Sequence, residues 1–182
     1  MRVICISGKA QHGKDTTAGY LKDVLEERGN RVLIAHYGDL VKYICKTFFE
    51  WDGNKDETGR NLLQYVGTDV VRTQDPDYWV RFIGSILRLF RNEWDYVLIP
   101  DCRFPNEIEY IRQIEQDITH IRIVRNDPYW TSPLTKEQQN HPSETALDGY
   151  RYDYIVYNDS DLEQLEIKIR RLASILMLGV VV

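Results

Sequence analysis

Cysteine is scarce in this chain and does not fall into pairs. Cys5, Cys45 and Cys102 are three in number and far apart among 182 residues. No Cys-x-x-Cys or Cys/His spacing occurs, which argues against a structural zinc module and a disulfide framework and leaves reduced thiols. Excess positive charge is also missing: 23 Lys and Arg face 28 Asp and Glu, for a net charge of −5. A binder of duplex nucleic acid usually shows a basic face, so a nucleic-acid polymer is not expected as partner. Free nucleotides stay open, because they need only a local positive pocket. No apolar run reaches the ~18 residues of a bilayer-spanning helix. The closing stretch from Ile175 to Val182 is too short and reads as a helix end with a packed or fraying tail. The first residues lack the small-residue cleavage site of a signal peptide. Repeats and low-complexity segments are absent as well. The expectation is a cytoplasmic protein without membrane contact.

What is present fits one domain with a genuine core: 43% apolar and 28% charged residues over 182 positions. Residues 2–7 are a short β-rich apolar run ending at Gly8, as in a buried parallel strand. Thr17, Leu21, Val24, Leu25 and Arg28 follow at helical spacing, and Gly29-Asn30 stops that helix. A second strand is predicted over 31–37, mostly helical patterns over 39–92, and a third strand over 94–100. Within the helical block, Asp75-Pro76 reads as a helix start. Pro105 opens a helix with Ile108, Ile111 and Ile114 on one face, and residues 118–125 read as a fourth strand. Residues 126–148 are polar and contain three prolines, which suits a loop or lid. A fifth strand is predicted over 153–157. Ser160 to Glu163 then form a capping box before a stripe of Leu165, Ile169, Leu172 and Leu176. Strands alternating with helices predict an α/β fold with a parallel sheet of about five strands and helices on both faces. Ligands in such sheets bind beyond the carboxyl ends of the strands.

Chemistry concentrates at Gly8-Lys9-Ala10-Gln11-His12-Gly13-Lys14-Asp15-Thr16, which fits G-x-x-x-x-G-K with Asp15 where Ser or Thr is usual. Glycines let a backbone wrap phosphate oxygens, while successive N–H groups and the next helix N-terminus supply positive potential. Lys14 can then reach the β- and γ-phosphates of ATP. Two glycines and a lysine at fixed offsets arise by chance in about one such chain in twenty. The weight of the motif therefore comes from its place between a predicted strand and a predicted helix. A carboxylate at Asp15 adds negative charge beside a triphosphate unless Mg²⁺ or Lys14 compensates. Asp15 or Thr16 is the candidate metal ligand, and the sequence does not decide between them. His12 reads as a spacer within the loop. Asp101 closes the third apolar strand, where a carboxylate facing the phosphates and Mg²⁺ belongs, and Arg103 behind it can grip a phosphate with two donors.

These stretches resemble the bacteriophage-type deoxynucleoside monophosphate kinases. The resemblance rests on the Gly13-Lys14-Asp15-Thr16 ending together with Asp101-Cys102-Arg103-Phe104-Pro105-Asn106-Glu107. It continues through Leu62 to Thr68 with Arg72, Asp75 to Val80, His141-Pro142-Ser143-Glu144 and Tyr154 to Asp159. It implies a P-loop kinase fold with a core over 1–38, 93–125 and 149–182, a monophosphate-binding helical region over 39–92, and a lid over 126–148. It further implies transfer of the ATP γ-phosphoryl group to a dNMP with Mg²⁺, in the host cytoplasm if phage-encoded. Lys14, Asp101 and Arg103 would then be catalytic. Asp39, Lys42, Gln64, Arg72, Trp79 and Arg103 are candidates for the acceptor, and Arg125 for ATP. Taken alone, Trp79 on an apolar helix reads as core. The resemblance assigns no role to His141 and Glu144, and whether the chain works as a homodimer stays open.

Two rival readings have sequence support. A similar Gly-Lys-Asp loop occurs in phosphomevalonate kinases, so another small-molecule kinase is one alternative, and a non-catalytic nucleotide-binding protein is the other. A GTP switch is rejected: Asn54-Lys55-Asp56-Glu57 carries Glu where the guanine-reading motif needs Asp, and it precedes the third strand.

Overall fold

The computed structural model describes residues 1–178; the expected tail beyond Leu178 lies outside the described residues. Five parallel strands run in the order β2-β3-β1-β4-β5: β1 (Arg2–Ser7), β2 (Val32–Ile34), β3 (Tyr96–Cys102), β4 (Ile118–Arg125) and β5 (Tyr154–Asn158). Strand alternation explains why both faces are covered. Val3 and Cys5 of β1 enter one core with Val97, Ile99 and Trp79, while Ile4 and Ile6 enter the other with Leu98, Ile121 and Leu21. The first face carries α2 (Gly38–Phe48), α5 (Tyr78–Leu89) and α6 (Pro105–Ile114); the second carries α1 (Lys14–Glu26) and α9 (Leu162–Leu178). Burying a side chain such as Leu21 or Ile121, both at 0% exposure, contributes about 1.5–3 kcal/mol. No helix among the described residues is long and apolar enough to cross a membrane.

The first face is completed by α3 (Glu57–Gln64), a π-helical stretch over Tyr65–Val70, and α4 (Val71–Gln74). Residues 126–148 hold two short helices, α7 (Lys136–Asn140) and α8 (Pro142–Thr145).

Several boundaries differ from the sequence reading. The second strand is only Val32–Ile34, because β2 is an edge strand with a single pairing partner. β3 ends at Cys102 rather than residue 100, so Asp101 lies inside the strand. Its register against β1 shifts between Cys5–Ile99 and Ser7–Cys102. Pro100, which has no N–H to give a ladder, falls in that irregularity. Asp75-Pro76 does not start a helix. Asp75 ends α4 in an extended conformation, as a residue before proline prefers, and the next helix begins at Tyr78. Asp161, rather than Ser160, accepts the Gln164 N–H at 2.8 Å at the head of α9.

Candidate active site

β1 is the central strand, and the loop leaving its carboxyl end is held by glycine geometry. Gly8 has φ 153°, and a Cβ there would lie 2.6 Å from the Ile123 carbonyl oxygen of β4. Gly13, at φ 98°, would bring a Cβ within 2.8 Å of Asn158 Nδ2. Asn158 is buried at the end of β5 and donates from Nδ2 to the His12 carbonyl at 3.1 Å. Gln11 holds a left-handed φ of 58° at the loop's tip. Two neighbours thus clamp the loop before any ligand arrives.

His12 contributes more than spacing. Its Nδ1 accepts the Arg125 N–H at 3.1 Å, and its ring meets Trp130 edge-on. Burial lowers the imidazole to about 4, so the ring is neutral and stays an acceptor. Lys14 begins α1 with only 7% exposure and donates to the Lys9 carbonyl at 2.8 Å, inside its own loop. Burial, helped by the nearby Arg103 guanidinium, lowers the Lys14 ammonium to about 8. Asp15 projects outward and shares its Oδ1 with His36 Nε2 at 3.1 Å. That hydrogen bond is the main reason the Asp15 carboxyl is lowered and the His36 imidazole raised. On its other side His36 faces Asp39 at 3.4 Å, and Asp39 holds Lys42 at 2.7 Å.

From β3, Asp101 accepts the Tyr37 N–H at 3.0 Å and the Gly38 N–H at 2.8 Å. It caps the N-terminus of α2, where a helix favours negative charge. Arg103 gives Nη1 to the Ser143 carbonyl at 2.9 Å and forms an ion pair with Glu144. Glu107, 1% exposed, accepts the Arg103 and Phe104 N–H groups at 2.5 and 3.0 Å and pairs with Arg72. Burial pushes the Glu107 carboxyl up, against the pull of Arg72. The Arg72 guanidinium also lies 4.2 Å over the Phe104 ring.

Together these groups border a cavity of about 450 Å³ between the loop and the helical block. Ala10, Gln11, Lys14 and Asp15 border it from the glycine loop and α1, and Asp101 and Arg103 from the end of β3. Lys42, Gln64, Arg72 and Trp79 line the far side. The π-helical stretch turns Gly67 and Thr68 to the same wall; such bulges recur at functional sites. Trp79 is 1% exposed and donates its indole N–H to the Gly67 carbonyl at 2.8 Å, so it is a core residue with only an edge on the cavity. Gly8, Lys9, His12, Gly13, Thr16, Asp39 and Arg125 do not line it. Of these, the glycines shape the loop, Lys9 pairs with Asp148 at 3.1 Å, and Arg125 lies over Trp130.

Among the charged and histidine side chains that border the cavity, the sequence reading gave no role to His36, Lys55, Arg60, Glu107 and Glu144. His36 follows the end of β2, where ligands of such sheets bind, so its position was a usable signal. Lys55 and Arg60 carry none, since only the tertiary placement of α3 and the residues before it brings them to the cavity. Among the described residues no group of three or more His, Cys, Asp or Glu could hold a metal ion.

Residues 24–169 match the family described as deoxynucleotide monophosphate kinase. The deoxynucleotide monophosphate kinase of Enterobacteria phage T4 is 30% identical over 119 residues, covering 64% of this chain and 46% of that protein. A putative deoxynucleotide monophosphate kinase of Acanthamoeba polyphaga mimivirus is 27% identical over 195 residues, covering 90% of this chain and 92% of that one. The chain thus spans less than half the length of the phage T4 relative. Among solved structures, the Mycobacterium tuberculosis APS kinase CysC in complex with AMPPNP and APS superposes with a TM-score of 0.54 at 11% identity, covering 95% of this chain and 97% of that one. At that identity the likeness shows the fold. The family match, over most of the chain and across every strand except the first, shows more: the chain belongs to the deoxynucleotide monophosphate kinase family.

Proposed function

We propose that the chain transfers the γ-phosphoryl group of ATP to a deoxynucleoside monophosphate, giving a deoxynucleoside diphosphate and ADP. The observation that carries this reading is one cavity with two kinds of end. One end is a glycine-shaped loop with a buried lysine; the other is walled by Lys42, Lys55, Arg60 and Arg72; Arg103 lies between them. Two anionic substrates must approach within bonding distance, and phosphoryl transfer is catalysed chiefly by positioning and charge stabilisation. Lys14 and the loop N–H groups would hold the β- and γ-phosphates. Arg103 would grip the oxygens between the substrates, a role suited to a planar fork of donors. On the far side, Gln64 and Thr68 offer polar groups between apolar Val41, Leu63 and Phe104, which suits a flat base with a hydrogen-bonding edge. In this division the sheet and its covering helices are the core, residues 39–92 hold the acceptor, and residues 126–148 form the lid. The family relation suggests work in the cytoplasm of an infected host.

Mg²⁺ enters with the nucleotide in this reading. A hard cation of this kind usually takes one or two carboxylates plus substrate phosphates rather than an all-protein cage. The side chain of Asp15, 81% exposed beside the cavity with one oxygen on His36, fits that use. Thr16 does not line the cavity, and Asp101 already spends both oxygens on backbone N–H groups. When bound, the ion would neutralise charge on the transferring phosphates. The test is ADP formation from ATP–Mg²⁺ across the common NMPs and dNMPs. ADP should appear only with an acceptor and fastest with deoxynucleotides. Equal release without any acceptor would defeat the assignment.

A further inference from the structure

Glu144 belongs to a segment far from the P-loop in sequence, yet its carboxylate lies in the loop. Its Oε2 accepts the Ala10 N–H at 2.9 Å, and its Oε1 pairs with Arg103. The Lys14 ammonium is close enough for each group to shift the other's protonation. A backbone N–H of a glycine-rich loop, a guanidinium and a lysine are the donors that a phosphate oxygen recruits. Glu144 is 8% exposed, so it is no transient surface contact.

We propose that Glu144 is a built-in occupant of the phosphate site, a carboxylate that holds the ATP-binding groups in the empty enzyme and must leave when a triphosphate enters. Two anions cannot share the Ala10 N–H and the Arg103 fork. Their exchange has a second consequence. Glu144 lies on α8, whose N-capping residue His141 contacts Asp69 at 3.2 Å, and Gln138 of α7 donates to Asn61 at 2.6 Å. The arm that Glu144 ends is therefore fastened to the acceptor-side helices. Triphosphate entry frees Arg103 from its carboxylate and detaches that arm from the loop in one event, leaving the arm to close again over both substrates, so the acceptor's arginine becomes available only once the donor is seated.

The inference rests on the phosphate-loop reading given above, and the experiment separates the two. Inorganic tripolyphosphate and AMPPNP are titrated into the parent, Glu144→Gln and Glu144→Asp by calorimetry, and each protein is melted with and without AMPPNP. Glu144→Gln removes the competing charge, and both ligands should bind about tenfold tighter, within the range of typical site couplings of ~5–150-fold. Its melting temperature should fall without ligand, where Arg103 and Lys14 lose their partner, and return to the parent's value at saturating AMPPNP. Glu144→Asp keeps the charge but draws it back by one methylene, so its affinities should lie between the other two. Tripolyphosphate must show the same gain as AMPPNP, since the competition is for a phosphate place. Unchanged or weaker binding by both variants, with equal loss of melting temperature in the presence and absence of ligand, would make Glu144 a structural ion-pair partner and overturn the proposal. If the parent itself binds neither ligand, the phosphate-loop reading falls and the inference with it.

Discussion

Lys14 is held in a state that a free lysine does not prefer. It is nearly buried, donates to a carbonyl of its own loop, and is lowered to about 8 by that burial and by Arg103. Such a cation contributes little to folding, because taking an ammonium from water is costly. Its arrangement makes sense as a group kept for a ligand. Lys14→Ala should therefore melt within a few degrees of the parent and lose ~10²–10⁴ in kcat/KM, as removal of one charge-stabilising donor typically does. Steady-state kinetics alongside a thermal melt decide it. Activity within a few-fold of the parent would remove the phosphate role from this loop. Asp101 illustrates the opposite economy, since its oxygens are committed to the Tyr37 and Gly38 N–H groups before any substrate binds.

At the scale of elements, the seam between β1 and β4 carries a titratable group outside the active cavity. His120 on β4 is 0% exposed; Ser7 Oγ lies 2.8 Å from its Nε2, and its Nδ1 lies 3.2 Å from the Arg151 carbonyl. Since a carbonyl only accepts, Nδ1 carries the proton and Ser7 donates to Nε2. Burial lowers the imidazole to about 4 from an ordinary 6.5. The unfolded chain therefore binds the extra proton between those values, and stability falls as pH drops from about 6.5 to 4. A shift of this size corresponds to about 3 kcal/mol over the window. Urea midpoints at pH 6.5 and 4.5 should show the fall, and His120→Asn should show a smaller one. Equal falls in the two proteins would mean that other groups, the carboxylates and the similarly buried His12, set the acid limit. Ser7 ends β1 one residue before Gly8, so this seam also sets where the glycine loop begins.

At the scale of the molecule, residues 126–148 touch both halves of the cavity. Glu144 contacts the loop, His141 and Gln138 contact the helical block, and Lys9 and Arg122 both pair with Asp148. A reaction that must keep water from the γ-phosphate needs closure, and this segment is placed to provide it. Hydrogen exchange should slow over 126–148 and over Glu57–Gln74 when AMPPNP and a deoxynucleoside monophosphate bind together. Unchanged exchange there, with both ligands shown to be bound, would remove the lid from the proposed mechanism.

Much of this was legible in the residues themselves. Alternating apolar runs and helical stripes were enough for five parallel strands and their covering helices, because local periodicity reports which faces are buried. The spacing of Gly8, Gly13 and Lys14 was enough for the loop, since glycine suits the φ of 153° and 98° at Gly8 and Gly13, where a Cβ would also collide with neighbours. Boundaries were less legible where neighbours overrule propensity: β3 runs on through Pro100 because β1 shifts register beside it. The fate of Trp79 also needed the fold, as an indole on an apolar helix reads alike whether it meets a base or the Gly67 carbonyl. Least legible were the long-range pairs. Glu144 meets Ala10 across 134 positions and Glu107 meets Arg72 across 35, and no local pattern encodes which buried charge will find which partner. Charge pairing follows from the three-dimensional closing of the chain, where each buried ion must find a counter-charge or lose its own. The sequence by itself determined the layers and the loop that faces the ligand; the tertiary structure alone decided which anion fills that loop while it waits.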